Sequence, residues 1–212
     1  MTDPIPPGGV VLDADALEAR WADAWRPVQV AERLHGTNTP WCVAAGWALD
    51  LFRGGQSRPH HDLEIAIPAS AFSDIRHRFP ELAFDAVGSG WVWPDADAEA
   101  LAVTHQTWVR DPASGQFLFD VFREPHEDGT WIYRRDERLR LPYDAIMERT
   151  ADGIPYLIPE LALLFKAKAP RPQDQADFDG VLPLLGPTRR DALRGWLELF
   201  HPGHPWSATL AG

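Results

Sequence analysis

Hydrophobic and polar positions divide the chain into two parts with different periods. Up to about residue 157, short apolar runs separated by polar turns show the two-residue alternation typical of strands, with a few helical stretches between them. After Ile158, apolar residues recur at helical spacing, as in PELALLFKAKA and PTRRDALRGWLELF. The pattern predicts an α+β fold, in which a mixed sheet flanked by helices is followed by a C-terminal helical subdomain.

Local signals place the main elements. Asp13 is expected to cap a helix from about Ala14 to Trp25, and Pro27 to start a second short helix. The run WCVAA predicts a buried strand that passes into a helix at Gly46 and ends at a glycine pair. Further strands are expected in DLEIAI, LAFDAV, SGWVWP, TWIYRR and GIPYLI, and a hairpin in QTWVRDPASGQFLFDVFRE.

These elements predict three segments along the chain. Residues 1–12 read as a flexible tail, residues 13–157 as the α+β domain and residues 158–212 as the helical subdomain. The start of the chain has neither the basic residues nor the apolar core of a signal peptide. No apolar run approaches the roughly 18 residues of a membrane helix, so no membrane partner is expected.

Composition narrows the classes of partner. The net charge of −11 disfavours a long nucleic acid and favours a cationic small molecule, although an acidic surface also serves solubility. Cys42 is the only cysteine, which excludes an internal disulfide and fits a reducing cytoplasm. We therefore expect a cytoplasmic protein.

Two carboxylates interrupt the apolar strand DLEIAI. Asp62 and Glu64 would lie on one face, roughly 7 Å apart along the strand, while Leu63 and Ile65 point into the core. Two like charges so close resist joint ionisation, and a magnesium ion would remove that penalty. A D-x-E pair is also common on strands with one wet face, so the pair alone does not establish a metal site.

A third carboxylate, Asp120, interrupts the apolar strand QFLFDVF in the same way. If this strand pairs beside DLEIAI, the three carboxylates could hold two metal ions about 3.5–4 Å apart and clamp a phosphoryl or nucleotidyl transfer. Upstream, the helix N-terminus at Gly46 offers amide donors for a phosphate, and Arg58 could add a charged contact. Phosphate donors followed by metal ligands suit a nucleoside triphosphate with bound magnesium.

The stretch AGWALDLFRGGQSRPHHDLEI resembles aminoglycoside 2''-adenylyltransferase-like proteins of the polymerase-beta-like nucleotidyltransferase superfamily. The family pattern is roughly Gly-Gly-Trp-Ala-hydrophobic-Asp, a glycine, then Arg-x-His-x-Asp-hydrophobic-Asp/Glu. Its matching positions here are Gly46, Trp47, Ala48, Asp50, Gly54, Arg58, His60, Asp62 and Glu64. The stretches FLFDVF, PELALLFKAK and DQADF match more loosely and extend the resemblance through most of the chain.

The resemblance implies a nucleotidyltransferase fold and an enzyme that transfers a nucleoside monophosphate from a triphosphate, with ATP the expected donor, to a hydroxyl of a small acceptor. An aminoglycoside-like antibiotic is one such acceptor. By the same resemblance Asp62 and Glu64 would be magnesium ligands, and Asp120 would be a third ligand or the base that accepts the acceptor proton.

The resemblance also implies phosphate contacts. Gly46 and Trp47, at the start of the helix, would cradle the triphosphate together with Arg58, and Lys166 would neutralise a phosphate. Asp177 matches a polar position in the helical part, and its role stays open.

Four positions depart from the family pattern. The first glycine of the pair is Ala45, the second metal ligand is a glutamate, the superfamily serine is replaced by Trp47 as elsewhere in this subfamily, and an expected lysine is Gln173. These departures bear on catalytic strength more than on fold.

Other interpretations stay open. The HHD sequence at His60, His61 and Asp62 would also suit a metal phosphohydrolase, although such ligands usually lie on helices. Lys166 and Lys168 could be surface charges of an amphipathic helix. A non-catalytic relative that binds a nucleotide or another small ligand is the remaining alternative.

Overall fold

A computed structural model describes residues 7–212 of the chain. The first half of the predicted tail, residues 1–6, lies outside the described residues. In the second half, Val10 forms an isolated antiparallel bridge with Val92, and its backbone N–H and C=O each bond the opposite residue at 2.8 Å.

The described chain contains short strands and helices in alternation, and ends in helices alone. The strands are β1 (Cys42–Val43), β2 (Glu64–Pro68), β3 (Ala83–Gly88), β4 (Trp91–Trp93), β5 (Gln106–Arg110), β6 (Phe117–Glu124), β7 (His126–Glu127), β8 (Thr130–Ile132), β9 (Arg140–Pro142), β10 (Met147–Arg149) and β11 (Pro155–Leu157). The α-helices are α1 (Ala14–Arg20), α2 (Pro27–Arg33), α3 (Ala45–Arg53), α4 (Phe72–His77), α5 (Ala98–Val103), α6 (Tyr143–Ile146), α7 (Pro159–Lys166), α8 (Pro172–Val181), α9 (Pro187–Phe200) and α10 (Pro205–Leu210). Two short 3-10 helices cover Ala69–Ala71 and Leu182–Leu184.

The described residues form two compact units. The first contains the chain up to Cys42 together with His60–Arg140, and the second contains Val43–Pro59 together with Leu141–Gly212. These units are not the predicted segments 13–157 and 158–212, because Val43–Pro59 groups with the C-terminal helices. The predicted division into domains stays a prediction.

The sheet of the first unit is mixed. Its strands lie in the order β2, β6, β5, β3, β4, with β2 and β6 parallel and the remaining pairs antiparallel. Strands β5 and β6 form the predicted hairpin through the turn Asp111–Gly115, where the Gly115 N–H bonds the Asp111 carbonyl at 2.8 Å. The predicted α+β class with a mixed sheet is confirmed.

Aromatic rings fill the first unit beneath β6. Phe119 stacks on Trp25 with ring centroids 5.5 Å apart and contacts Phe79 at 5.2 Å. The Trp25 N–H donates to the Leu118 carbonyl at 2.7 Å. The prediction that one helix reaches Trp25 is therefore wrong. The helix ends at Arg20, because the segment after it leaves helical geometry to bond the sheet.

The second unit is built around α3. Val43 of β1 pairs in parallel with Tyr156 of β11, and β10 pairs with β11 in the antiparallel sense. Helix α3 contacts α7, α8 and β11, while α9 contacts α7 and α10. Phe178 of α8 stacks on Trp206 of α10 with centroids 4.3 Å apart, which joins the last helix to the bundle.

Several local predictions are confirmed. The Asp13 side chain caps α1 by accepting from the Ala16 N–H at 2.7 Å. Gly54 ends α3 in the left-handed conformation, with φ of +80°. Helices α5, α6 and α10 and strands β9 and β10 were not expected from the sequence, because each is only three to six residues long. None of the helices described between residues 7 and 212 is both long enough and apolar enough to cross a membrane.

Because Cys42 is buried, the reactivity of its thiol tests the packing of the first unit. Its side chain is 1 % exposed, and burial together with the nearby Glu124 charge raises the pKa of the thiol to about 12. Because the thiolate is the reactive form, we expect no measurable reaction of the native protein with a disulfide reagent at pH 8. In guanidinium one thiol per chain should react. Rapid stoichiometric reaction of the native protein would contradict this arrangement.

Candidate active site

The three predicted carboxylates lie in the first unit, with Glu64 on β2, Asp120 on the neighbouring β6 and Asp62 in the segment before β2, because the predicted strand DLEIAI begins only at Glu64. In the parallel pair of β2 and β6, Glu64 is the register partner of Asp120, and the Asp120 N–H donates to the Leu63 carbonyl at 2.7 Å. Side chains of register partners project to the same face of a sheet. Asp62 precedes Glu64 by two residues, and its charge acts on Asp120. The register therefore sets Glu64 and Asp120 on one face of the sheet, and the Asp62 charge acts on Asp120 from the segment before β2.

Asp120 is the most deeply buried of the three. Its side chain is 1 % exposed, and burial is the main cause that raises its pKa to about 8, with a further contribution from the Asp62 charge. The Gln106 side-chain amide donates to Oδ2 and opposes this shift. Oδ1 is buried and has no hydrogen-bond partner. An orphaned oxygen of this kind favours a carboxyl that is protonated or that meets a cation.

The donor chemistry fits a hard divalent cation. Carboxylate oxygens are the ligands that magnesium prefers, and Asp120 Oδ1 offers one without another partner. The arrangement is not a closed coordination sphere, since no three His, Cys, Asp or Glu side chains within residues 7–212 are grouped closely enough to hold a metal ion. The metal roles of Asp62, Glu64 and Asp120 stay predictions.

A buried ion pair follows Asp120 along the same face of β6. Glu124 is 2 % exposed and accepts from the Arg134 guanidinium, which lies 5.0 Å over the ring of Phe122. The positive charge of Arg134 lowers the pKa of Asp120, against the effect of burial. Arg134 therefore moderates the excess negative charge of this face.

The predicted phosphate cradle lies in the second unit, where β1 passes into α3. Gly46 and Trp47 are buried in the first turn of that helix. Ala45 has φ of +49°, a left-handed conformation that costs an alanine about 1–2 kcal/mol. The family pattern has glycine here, so the departure at Ala45 places a strained residue at the N-terminus of the helix.

Arg58 and Lys166 meet in the second unit through shared carboxylates. Arg58 Nε and Nη2 both lie 3.0 Å from the Asp177 carboxylate. Lys166 Nζ lies 3.0 Å from Asp177 Oδ2 and 2.7 Å from Asp174 Oδ1. Two predicted phosphate contacts therefore share Asp177, whose role was open. Lys166 is 9 % exposed, so the alternative that it is a surface charge is wrong, whereas Lys168 is exposed as that alternative predicts.

Sequence reasoning missed Gln106, Asp174 and Asp50. Gln106 reaches Asp120 only because the β5–β6 register sets it diagonally across the hairpin. Asp50 is buried and accepts from the Ser57 hydroxyl, which ties the loop after α3 back to that helix. The available signal was that Asp50 lies in the family pattern and that Asp174 begins the loosely matching stretch DQADF.

The strain at Ala45 gives a stability test. Ala45→Gly should raise the free energy of unfolding by up to about 1 kcal/mol, because relief of the left-handed strain outweighs the added flexibility of the unfolded chain. Ala48→Gly in the interior of α3 is the matched control and should lower it by about 1 kcal/mol or more. Urea unfolding measures both. Equal destabilisation by the two substitutions would refute strain at Ala45.

The raised pKa of Asp120 gives a pH test in EDTA. Between the ordinary carboxyl pKa of 3.8 and about 8, the unfolded chain loses this proton while the folded protein keeps it. The free energy of unfolding of the wild type should therefore fall relative to Asp120→Asn as pH rises through this range, by at most about 1.4 kcal/mol per pH unit. Urea unfolding at pH 5, 6, 7 and 8 measures the difference. A difference that does not change with pH would refute the assignment.

A family model matches part of the chain. Residues 28–97 match the model described as aminoglycoside-2''-adenylyltransferase, which includes Gly46 to Glu64 and ends before Asp120. No curated protein sequence matches the chain.

Solved structures show the same fold over most of the chain. The lincomycin-bound crystal structure of the lincosamide antibiotic adenylyltransferase LnuA matches with a TM-score of 0.52 at 14% identity. The alignment covers 83% of this chain and 100% of the LnuA chain. The solution structure of the antibiotic-resistance factor ANT(2'')-Ia matches with a TM-score of 0.52 at 13% identity. The alignment covers 81% of this chain and 89% of the ANT(2'')-Ia chain. The predicted resemblance to the aminoglycoside 2''-adenylyltransferase-like family, and its nucleotidyltransferase fold, are confirmed.

Proposed function

We propose that this protein is a magnesium-dependent nucleotidyltransferase of the cytoplasm. It would move a nucleoside monophosphate from a triphosphate, with ATP the expected donor, to a hydroxyl of a small acceptor and release pyrophosphate. An aminoglycoside-like antibiotic is the acceptor class we favour, which would make the protein an antibiotic-resistance enzyme.

The observation that carries the proposal is the register of β2 and β6. It sets Glu64 opposite Asp120, and the Asp62 charge acts on the same group. Holding Asp120 buried and near another carboxylate costs free energy, because like charges repel and burial penalises ionisation. Ionisable groups that are held at a cost in free energy are typical of functional sites, where the reaction depends on their shifted pKa values.

Each residue has a proposed task. Asp62, Glu64 and Asp120 would hold Mg²⁺, which when bound supplies charge stabilisation for the attacking and leaving oxygens. Asp120 Oδ1, which accepts no hydrogen bond, would take the proton of the acceptor hydroxyl. Amides of the first turn of α3, at Gly46 and Trp47, would bind the triphosphate.

Charge supports the choice of acceptor. The net charge of −11 attracts polycationic molecules such as amino sugars, and repels a long nucleic acid. One comparison structure is a lincosamide antibiotic adenylyltransferase bound to lincomycin, and the other is an antibiotic-resistance factor, which supports an antibiotic as the acceptor of this chain.

A weak or inactive relative that still binds a nucleotide is the second candidate. The burial of Asp120 favours it, because a carboxyl with a pKa of about 8 is largely protonated at neutral pH and then neither binds a cation nor accepts a proton. The left-handed conformation of Ala45 also favours a weak or inactive relative, because it raises the free energy of the folded N-terminus of α3.

The decisive experiment incubates the purified protein with Mg²⁺, the four nucleoside triphosphates and a panel of aminoglycosides and lincosamides. Mass spectrometry should detect an acceptor whose mass has increased by one nucleoside monophosphate, with a stoichiometric release of pyrophosphate. Triphosphate binding without any adduct across the panel would favour the inactive relative.

Removal of one carboxylate tests the site. Asp62→Asn should lower the rate of transfer by at least about 100-fold, because it removes a charged metal ligand, while the fold is kept because one like-charge repulsion is relieved. Asp128→Asn is the matched control, since Asp128 is exposed in a turn with φ of +43°, which asparagine tolerates. Pyrophosphate release measures both. Full activity of Asp62→Asn would refute the metal assignment.

A further inference from the structure

Five charged side chains of the second unit form one continuous network. Asp177 accepts from Arg58 through two N–H groups and lies 3.0 Å from Lys166 Nζ. Lys166 also donates to Asp174 at 2.7 Å, and Asp174 accepts from Arg171 Nε at 2.9 Å. The network joins the loop after α3, the C-terminal end of α7 and the first turns of α8.

The carboxylates of this network are held ionised within the protein. Asp174 is 2 % and Asp177 5 % exposed. Burial alone would raise the pKa of each group, but the hydrogen bonds and charges of Arg58, Lys166 and Arg171 outweigh it and hold both pKa values below the ordinary range. Three cations therefore surround two carboxylates, and the five side chains together carry one positive charge in excess.

Asp177 also fixes the backbone that carries Arg58. The loop leaves α3 at Gly54, and the Gly55 N–H and the Ser57 hydroxyl both bond Asp50. Arg58 Nη1 donates to the Pro59 carbonyl at 3.1 Å. Asp50 therefore fixes the start of the loop and Asp177 fixes its end. These contacts restrict the conformations of both the loop and the Arg58 guanidinium.

We propose that Asp177 is a positioning residue that holds Arg58 and Lys166 together as a two-cation clamp for the phosphates of the triphosphate. The inference rests on the proposed function and assigns to Asp177 a role that the sequence left open. Two cations repel each other, and a carboxylate bonded to both removes that cost before the ligand arrives.

The donor that these contacts leave on Lys166 supports the clamp. An ammonium has three N–H donors, and Asp174 and Asp177 account for two of those on Lys166. A charge-assisted bond to a phosphate oxygen is a strong use of the third donor.

The experiment compares Asp177→Asn and Asp177→Glu with a control on the same helix, Asp179→Asn. Asp179 is exposed and accepts from Gln175 of its own helix at 2.8 Å, so the control removes one charge from α8 without touching the network. Calorimetry with inorganic tripolyphosphate measures phosphate binding without any acceptor, and steady-state kinetics separates KM for the triphosphate from kcat.

We expect Asp177→Asn to raise the dissociation constant of tripolyphosphate and KM for the triphosphate about tenfold, with kcat changed less than about threefold. Asp177→Glu, which keeps the charge, should recover part of this loss, and Asp179→Asn should bind as the wild type does. A lowered melting temperature with unchanged tripolyphosphate affinity would show a structural role only and overturn the inference, as would an equal loss in Asp179→Asn.

Arg58→Lys provides a second route if Asp177→Asn does not fold. It keeps the charge but loses the two-pronged contact with Asp177, so tripolyphosphate should bind several-fold more weakly, and unchanged affinity would overturn the inference. Failure of the proposed function looks different. A wild type that transfers no nucleotide but binds tripolyphosphate in an Asp177-dependent manner would refute the enzyme and keep the clamp. Transfer that continues with unaltered KM in Asp177→Asn would refute the clamp and keep the enzyme.

Discussion

The parallel register between β2 and β6 is the constraint on which the chemistry of the first unit depends. It places Glu64 opposite Asp120 on one face, while Ile65 and Val121 face the core on the other and are fully buried. A shift by one residue would exchange the two faces, so the apolar residues that stabilise the sheet also hold the carboxylates in place. The core packing of the same two strands therefore offsets the free-energy cost of placing carboxylates on the opposite face.

That register also explains why Asp120 differs from an ordinary surface aspartate. Its oxygens differ in their contacts, since Oδ2 accepts from Gln106 and Oδ1 accepts from no group. Burial and the neighbouring Asp62 charge both favour the protonated form. Asp120 therefore keeps its proton to a higher pH than an ordinary aspartate, and the hydrogen bond from Gln106 and the positive charge of Arg134 oppose this effect.

Much of the site could be predicted because the relevant signals are local. The alternation in DLEIAI and QFLFDVF correctly placed Glu64 and Asp120 on strands, whereas Asp62 lies just before β2 rather than on it. The ion-pair network could not be predicted in the same way. Lys166 and Arg58 are more than 100 residues apart, and only the packing of α3 against α7 and α8 brings them to one aspartate. The early end of α1 has the same cause, because the Trp25 N–H bonds the sheet rather than its own helix.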